Sequence, residues 1–175
     1  MRAKMMRATP SPKLATGTSR PMDAFDSDVL IYALEPEHPL GRRVRALFTD
    51  EVSDDDSFSG IGSVVLLREV LSKPTREGDT DKLNLIFELL GRLELLPTHR
   101  AVADLAASFG ARYRLQAADA IHLATAVNVG ADRFITNNRR DFPKAIEEIL
   151  ITYPEDLHDQ ADASPSSGGG LHVPA

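Results

Sequence analysis

The first patterned stretch begins after residue 20, where Met22-Asp23-Ala24-Phe25-Asp26 alternates with the short period of a strand. Val29-Leu30-Ile31-Tyr32-Ala33-Leu34 follows as a helix that Ser27 or Asp28 can cap, and Pro36 ends it. Residues 38–48 restart as a helix, with Leu40, Val44 and Leu47 at helical spacing and Arg42, Arg43 and Arg45 between them. Residues 50–56 are too acidic for a core strand, although Val52 and Phe58 can bracket a short extended piece. From Ser63 the pattern strengthens. Val64, Leu67 and Leu71 form one apolar stripe, and Val65 pairs with Glu69 at i,i+4 on an adjoining face, so Glu69 belongs to a helix.

Lys73-Pro74-Thr75-Arg76-Glu77-Gly78 reads as a break after that helix. Leu83, Ile86, Phe87 and Leu90 mark the next helix, and Leu93-Glu94-Leu95-Leu96 reads as a short strand ended by Pro97. Val102, Leu105, Ala106 and Phe109 then define a helix that Gly110 closes. The clearest helix carries Ala117, Ala118, Ile121, Leu123, Ala124, Ala126 and Val127 and stops at Gly130. Arg133-Phe134-Ile135-Thr136 is the next strand, and residues 147–152 end in another. Strands alternating with longer helices predict an α/β sandwich with a mainly parallel sheet over residues 21–154, with a mostly helical domain as the rival. Residues 1–20 form a basic leader, and the Asp, Ser and Gly content of residues 155–175 marks a flexible tail.

A chain of 175 residues suits one domain with a substantial core. It has no cysteine, which removes disulfides, thiolate metal sites and thiol catalysis together and agrees with a cytoplasmic setting. Its histidines, His38, His99, His122, His158 and His172, lack ligand-like spacing, so a zinc site is not expected. The net charge of −6 is unevenly spread: Arg2, Lys4, Arg7, Lys13 and Arg20 precede the first strand, while Asp50, Glu51, Asp54, Asp55 and Asp56 crowd one loop. That balance argues against a large DNA-coating surface, yet a local basic stripe still permits a nucleic-acid substrate. No segment approaches the roughly 20 apolar residues of a membrane span. Thr9-Pro10-Ser11-Pro12 interrupts any secretory signal, leaving a flexible leader or a distant likeness of an organelle-targeting peptide.

The acids change the picture most. Buried carboxylates cost stability unless they meet a proton, a cation or a donor, and several together make a hard, oxygen-rich cation site. Asp26 falls at a strand-to-helix junction, the usual place for sites in parallel α/β proteins. Asp28 there can orient water, bind a cation weakly or merely cap the helix. Glu69 completes a negative pocket if it faces inward and pairs with Arg68 or Lys73 if it faces out. Asp119 sits at a helix start, where capping and cation binding coexist. His122 reads as a core or substrate-edge residue rather than a ligand. In Thr136-Asn137-Asn138-Arg139-Arg140-Asp141, Thr136 and Asn138 can hold a turn or orient water and phosphate, and Asp141 can bind metal. Arg139 and Arg140 can draw phosphate toward the acids; a polar strand cap is the plainer alternative.

These residues resemble the PIN-domain nuclease family, closest to the VapC-like toxin ribonucleases of prokaryotic type II toxin–antitoxin systems. The resemblance is carried by Asp26-Ser27-Asp28-Val29-Leu30-Ile31-Tyr32, by Glu69, by Asp119-Ala120-Ile121-His122-Leu123-Ala124 and by Thr136-Asn137-Asn138 with Arg139-Arg140-Asp141-Phe142, and it spans residues 22–152. It implies a three-layer α/β/α sandwich and a divalent-metal-dependent endoribonuclease. Asp26, Glu69, Asp119 and Asp141 would then be the catalytic acids, with Asp26 and Asp119 holding Mg²⁺, for which Mn²⁺ substitutes. Glu69 would orient water or bind a second cation, while Asp28, Thr136, Asn138, Arg139 and Arg140 would orient water or the RNA backbone. Asn138 stands where many relatives carry a further acid, so Asp141 replaces it, acts through water, or the role is absent. The resemblance also implies an RNA substrate, a homodimer and an antitoxin that covers the cleft or inserts a basic residue, with residues 29–34 and 40–47 as candidate surfaces. A catalytically inactive PIN-like interaction domain and a metal-dependent DNA nuclease are the alternatives.

Overall fold

Short apolar runs are not stable as isolated strands and must pair. In the computed structural model, which describes residues 21–35, 37–48 and 58–157, β1 (Asp23–Phe25), β2 (Gly60–Ser63), β3 (Leu93–Leu96), β4 (Arg133–Ile135) and β5 (Leu150–Thr152) form a five-stranded sheet. The order is β3-β2-β1-β4-β5 and every neighbouring pair is parallel. The helices are α1 (Ser27–Ala33), α2 (Pro39–Arg45), α3 (Val65–Glu77), α4 (Thr80–Leu90), α5 (Arg100–Tyr113) and α6 (Ala117–Val129). The leader, the acidic stretch 50–56, Pro36 and residues 158–175 lie outside the described residues.

Strand side chains alternate between faces. Ala24, Ile61, Phe134 and Ile151 pack on one face with Val102, Phe109 and Leu123 from α5 and α6. Phe25, Leu93 and Ile135 pack on the other with Val29, Val44, Leu66 and Ile86 from α1 to α4. The result is the expected three-layer α/β/α sandwich. Because β2 and β3 lie on one side of β1 and β4 and β5 on the other, the chain leaves the central strands in opposite directions and opens a crevice at their carboxyl ends. At the amino end, Arg133 clamps the fully buried Asp23 with Nε and a terminal nitrogen at 2.7 and 2.8 Å, fixing the β1–β4 register away from that crevice.

Several local expectations are corrected. β2 carries no alternation because backbone crowding dictates its composition: a Cβ on Gly60 would lie 2.5 Å from the Asp23 carbonyl oxygen and from the Phe25 ring. The buried stripe of α3 is Leu66, Val70 and Pro74, while Leu67 is exposed. Pro74 does not break the helix; α3 continues to Glu77 and closes at Gly78 with φ 68°. α5 likewise passes through Gly110 and ends at Arg114, a left-handed residue with φ 59°. Asp26, rather than Ser27 or Asp28, caps α1. Folded structure extends past residue 154 to Leu157, whose side chain is buried under the α1–α4 layer.

Candidate active site

The carboxyl end of β1 delivers Asp26, which is buried with 4% of its surface exposed. One carboxylate oxygen accepts the Ser27 backbone N–H and the other the Thr136 hydroxyl, each at 2.7 Å. Thr136 follows β4, so the site begins as a bridge between the two central strands. One residue beyond, the backbone N–H of Asn137 donates to Asp28 at 3.0 Å, and the Asn137 amide reaches the Tyr32 hydroxyl at 3.4 Å. These bonds tie the first turn of α1 to the loop after β4.

Glu69 comes from α3, and its Oε2 lies 2.7 Å from His122 Nε2. That hydrogen bond from His122, helped less by the nearby Ser27 hydroxyl, holds the Glu69 carboxyl below the usual glutamate range against the opposing effect of burial. Asp119 occupies the first turn of α6. Burial and then the charges of Asp26 and Asp141 push its carboxyl up to about 6. Asp28 is pushed up to about 7 by burial and by Asp26, and burial raises Asp26 as well. Acids from the end of β1 and from α1, α3 and α6 are thus near enough to raise one another's pKa values, with Glu69, among them, paired to His122.

The loop after β4 supplies the outer rim. Asn138 donates its side-chain N–H to Asp141 at 2.9 Å, and Arg140 grips the same carboxylate at 2.9 and 3.0 Å. Those donors lower the Asp141 pKa, Arg140 first, while the Asp141 charge still reaches Asp119. Arg139 turns the other way, pairing with Glu155 at 2.7 Å and lying 4.2 Å over the Tyr153 ring. Sequence spacing grouped Arg139 with the acids, but in this arrangement it braces the turn at Pro154–Asp156. Residues that sequence reasoning did not assign to the site are Ser27, Ser63, Asn137 and Tyr32. Ser63 had no signal, because its strand has no periodicity; Asn137 was hidden among polar neighbours.

The donors here are oxygens, which suit a hard divalent cation rather than a soft metal. Among the described residues, no three acids or histidines stand together so as to hold a metal ion by themselves. An Mg²⁺ site does not require such a group, since that ion keeps several waters and takes one or two carboxylates. The raised pKa values of Asp28 and Asp119, set first by burial and then by neighbouring acids, mark where positive charge would stabilise the ionised carboxylates. The residues present therefore fit the group.

Fold and site together define a parallel α/β/α protein with an acidic crevice at the carboxyl edge of its sheet. Residues 24–147 match the model of the PIN domain, and the chain belongs to that family, whose members are generally nucleases. A toxin–antitoxin complex from Klebsiella pneumoniae is similar in fold, with TM-score 0.56 and 19% identity over 78% of this chain and 99% of that one. VapBC2 from Rickettsia felis, bound to a DNA fragment from its promoter, gives TM-score 0.58 and 14% identity over 75% and 98%. FitAcB from Neisseria gonorrhoeae gives TM-score 0.59 and 22% identity over 78% and 100%. No curated protein sequence matches the chain. No helix among the described residues is long and apolar enough to cross a membrane.

Proposed function

We propose that the protein is a divalent-metal-dependent endoribonuclease, acting in the cytoplasm as the toxin of a type II toxin–antitoxin pair. The observation that carries this reading is the meeting of Asp26, Asp28, Glu69 and Asp119 in one crevice, close enough to perturb one another's ionisation. Asp26 and Asp119 would hold Mg²⁺, with Mn²⁺ as a substitute. When bound, the cation polarises the phosphate and makes a water more acidic. The chain supplies the rest. Thr136 and the Ser27 N–H fix the Asp26 carboxylate, Asn137 fixes Asp28, and Glu69 orients the attacking water from the opposite wall. Arg140 stands on the exposed rim, where phosphate can compete with Asp141 for its guanidinium.

The antitoxin part of the reading is supported by the neighbours described as a toxin–antitoxin complex and as VapBC2. A groove of about 420 Å³, lined by Leu34, Phe48, Leu85 and Leu89 together with the charged Arg45, Glu88 and Arg92, offers that partner a mainly apolar seat. The homodimer belongs to the same reading. An inactive interaction domain is the second reading, favoured by Asn138 at the position of a further acid and by the Asp141 carboxylate being taken up by Asn138 and Arg140.

Cleavage by the antitoxin-free protein decides between them. A mixed RNA pool and a DNA pool are incubated with Mg²⁺ or Mn²⁺, and cleavage of RNA is the expected result. Asp26→Asn and Asp119→Asn should each lower it on the order of 100-fold or more while leaving the circular dichroism spectrum intact. No cleavage of either pool would leave the interaction domain standing, and cleavage of DNA alone would replace the substrate class.

A further inference from the structure

His122 lies in α6 one turn beyond Asp119 and is 2% exposed, yet both ring nitrogens are engaged. Nδ1 is 3.0 Å from the Ser63 hydroxyl oxygen, and Nε2 is 2.7 Å from Glu69 Oε2. Ser63, 1% exposed at the end of β2, also accepts the Val65 backbone N–H at 3.2 Å. A carboxylate can only accept, so across the 2.7 Å contact Nε2 carries a hydrogen and donates it to Glu69. The resulting chain joins the end of β2, the middle of α6 and the inner face of α3.

Two other uses of these residues fail on geometry. Ser63 is sealed from substrate and cannot serve as a nucleophile despite its histidine and acid neighbours. His122 cannot ligate a cation in the crevice, because one nitrogen carries the hydrogen given to Glu69 and the other is taken by Ser63. What the chain does is hold Glu69. That side chain is long, partly exposed and repelled by Asp26 and Asp119, so without a donor it would turn toward solvent.

We propose that His122, itself set by Ser63, is a positioning residue that keeps the Glu69 carboxylate turned toward the Asp26–Asp119 crevice for phosphodiester cleavage. The proposal rests on the nuclease reading. As a residue acting through Glu69 it should appear in kcat rather than in KM, and its effect should vanish once Glu69 can no longer act.

The test uses two amides of different reach. His122→Asn places its amide where Nδ1 stands, keeping a partner for Ser63 but stopping short of Glu69; His122→Gln places a donor where Nε2 stands. Full-length, antitoxin-free protein is assayed for RNA cleavage with Mn²⁺, with folding checked by thermal melting. His122→Asn should lose about 30-fold in kcat with KM within about twofold, and His122→Gln should recover at least about tenfold of that loss. In a Glu69→Gln background, His122→Asn should change kcat by less than about twofold. Wild-type cleavage with the two amides equally active, or with losses at 69 and 122 that multiply, would overturn the proposal and leave the nuclease reading intact. No cleavage by wild type would remove the nuclease reading and this proposal with it. If His122→Asn does not fold, Ser63→Ala replaces it: a kcat loss absent from the Glu69→Gln background supports the relay, and unchanged kcat overturns it.

Discussion

The hydroxyl of Thr136 donates to Asp26 at 2.7 Å and accepts the Asn138 backbone N–H at 3.0 Å, with no exposure to water. Valine has nearly the same shape but neither capacity. Thr136→Val should therefore destabilise the protein by about 2 kcal/mol, because a buried carboxylate loses a donor and a backbone N–H loses its acceptor. RNA cleavage should fall with it, whereas Thr136→Ser should keep most of both; urea denaturation and the cleavage assay check the two parts. At this scale the sequence identified Asp26, Glu69, Asp119 and Thr136 as candidates because residue type and flanking pattern survive without coordinates. It did not reveal that Ser63 meets His122 across 59 positions or that Arg139 turns to Glu155, since exposed and long-range partners are chosen by packing.

Elements show a different balance. Helical spacing of Val102, Ala106 and Phe109 located α5, whereas a run of small and apolar residues located α6, which is buried on most sides and which Gly130 ends with φ 72° as its position suggested. Periodicity failed where backbone contact, not side-chain burial, chose the residue. Gly41 lies inside a helix that the spacing of Leu40, Val44 and Leu47 did locate, and it too is set by backbone contact: a Cβ there would lie 2.1 Å from the Tyr32 carbonyl oxygen at the end of α1. Gly41→Ala should force the two helices apart and cost about 2 to 3 kcal/mol, read by thermal or urea unfolding. A loss under about 0.5 kcal/mol would mean that α1 and α2 separate freely. Gly60 in β2 follows the same logic, which is why a strand made of Gly60-Ile61-Gly62-Ser63 carried no strand signal. Pro74 has the character of a helix breaker because its ring removes one helical hydrogen bond. Near the C-terminus of α3 that loss is small, and the ring itself is buried in the packing.

For the molecule as a whole, the acid crevice sets how stability responds to pH. Asp28 at about 7 and Asp119 at about 6 are raised well above the ordinary aspartate value, so the folded protein binds more protons than the unfolded chain across that interval. Their contribution is fully present below about pH 4 and is lost as pH rises through 6 and 7. Glu69 and Asp141, whose values are lowered, are already ionised there and do not offset it. In EDTA the melting temperature should therefore fall between pH 5 and pH 8, and Asp28→Asn should flatten that fall. Mg²⁺ should raise the melting temperature more at pH 8 than at pH 5, because binding to the folded state competes with protons for the same carboxylates. An equal Mg²⁺ effect at both pH values would argue against a cation at these acids. The sequence alone determined the α/β alternation, the main helices and the acids worth watching, because periodicity and residue type are local. Only the tertiary structure decided that β2 exists and that α3 outlasts its proline. It also brought Ser63, His122 and Glu69 into one chain, because crossing strands and helices select contacts that no local window contains.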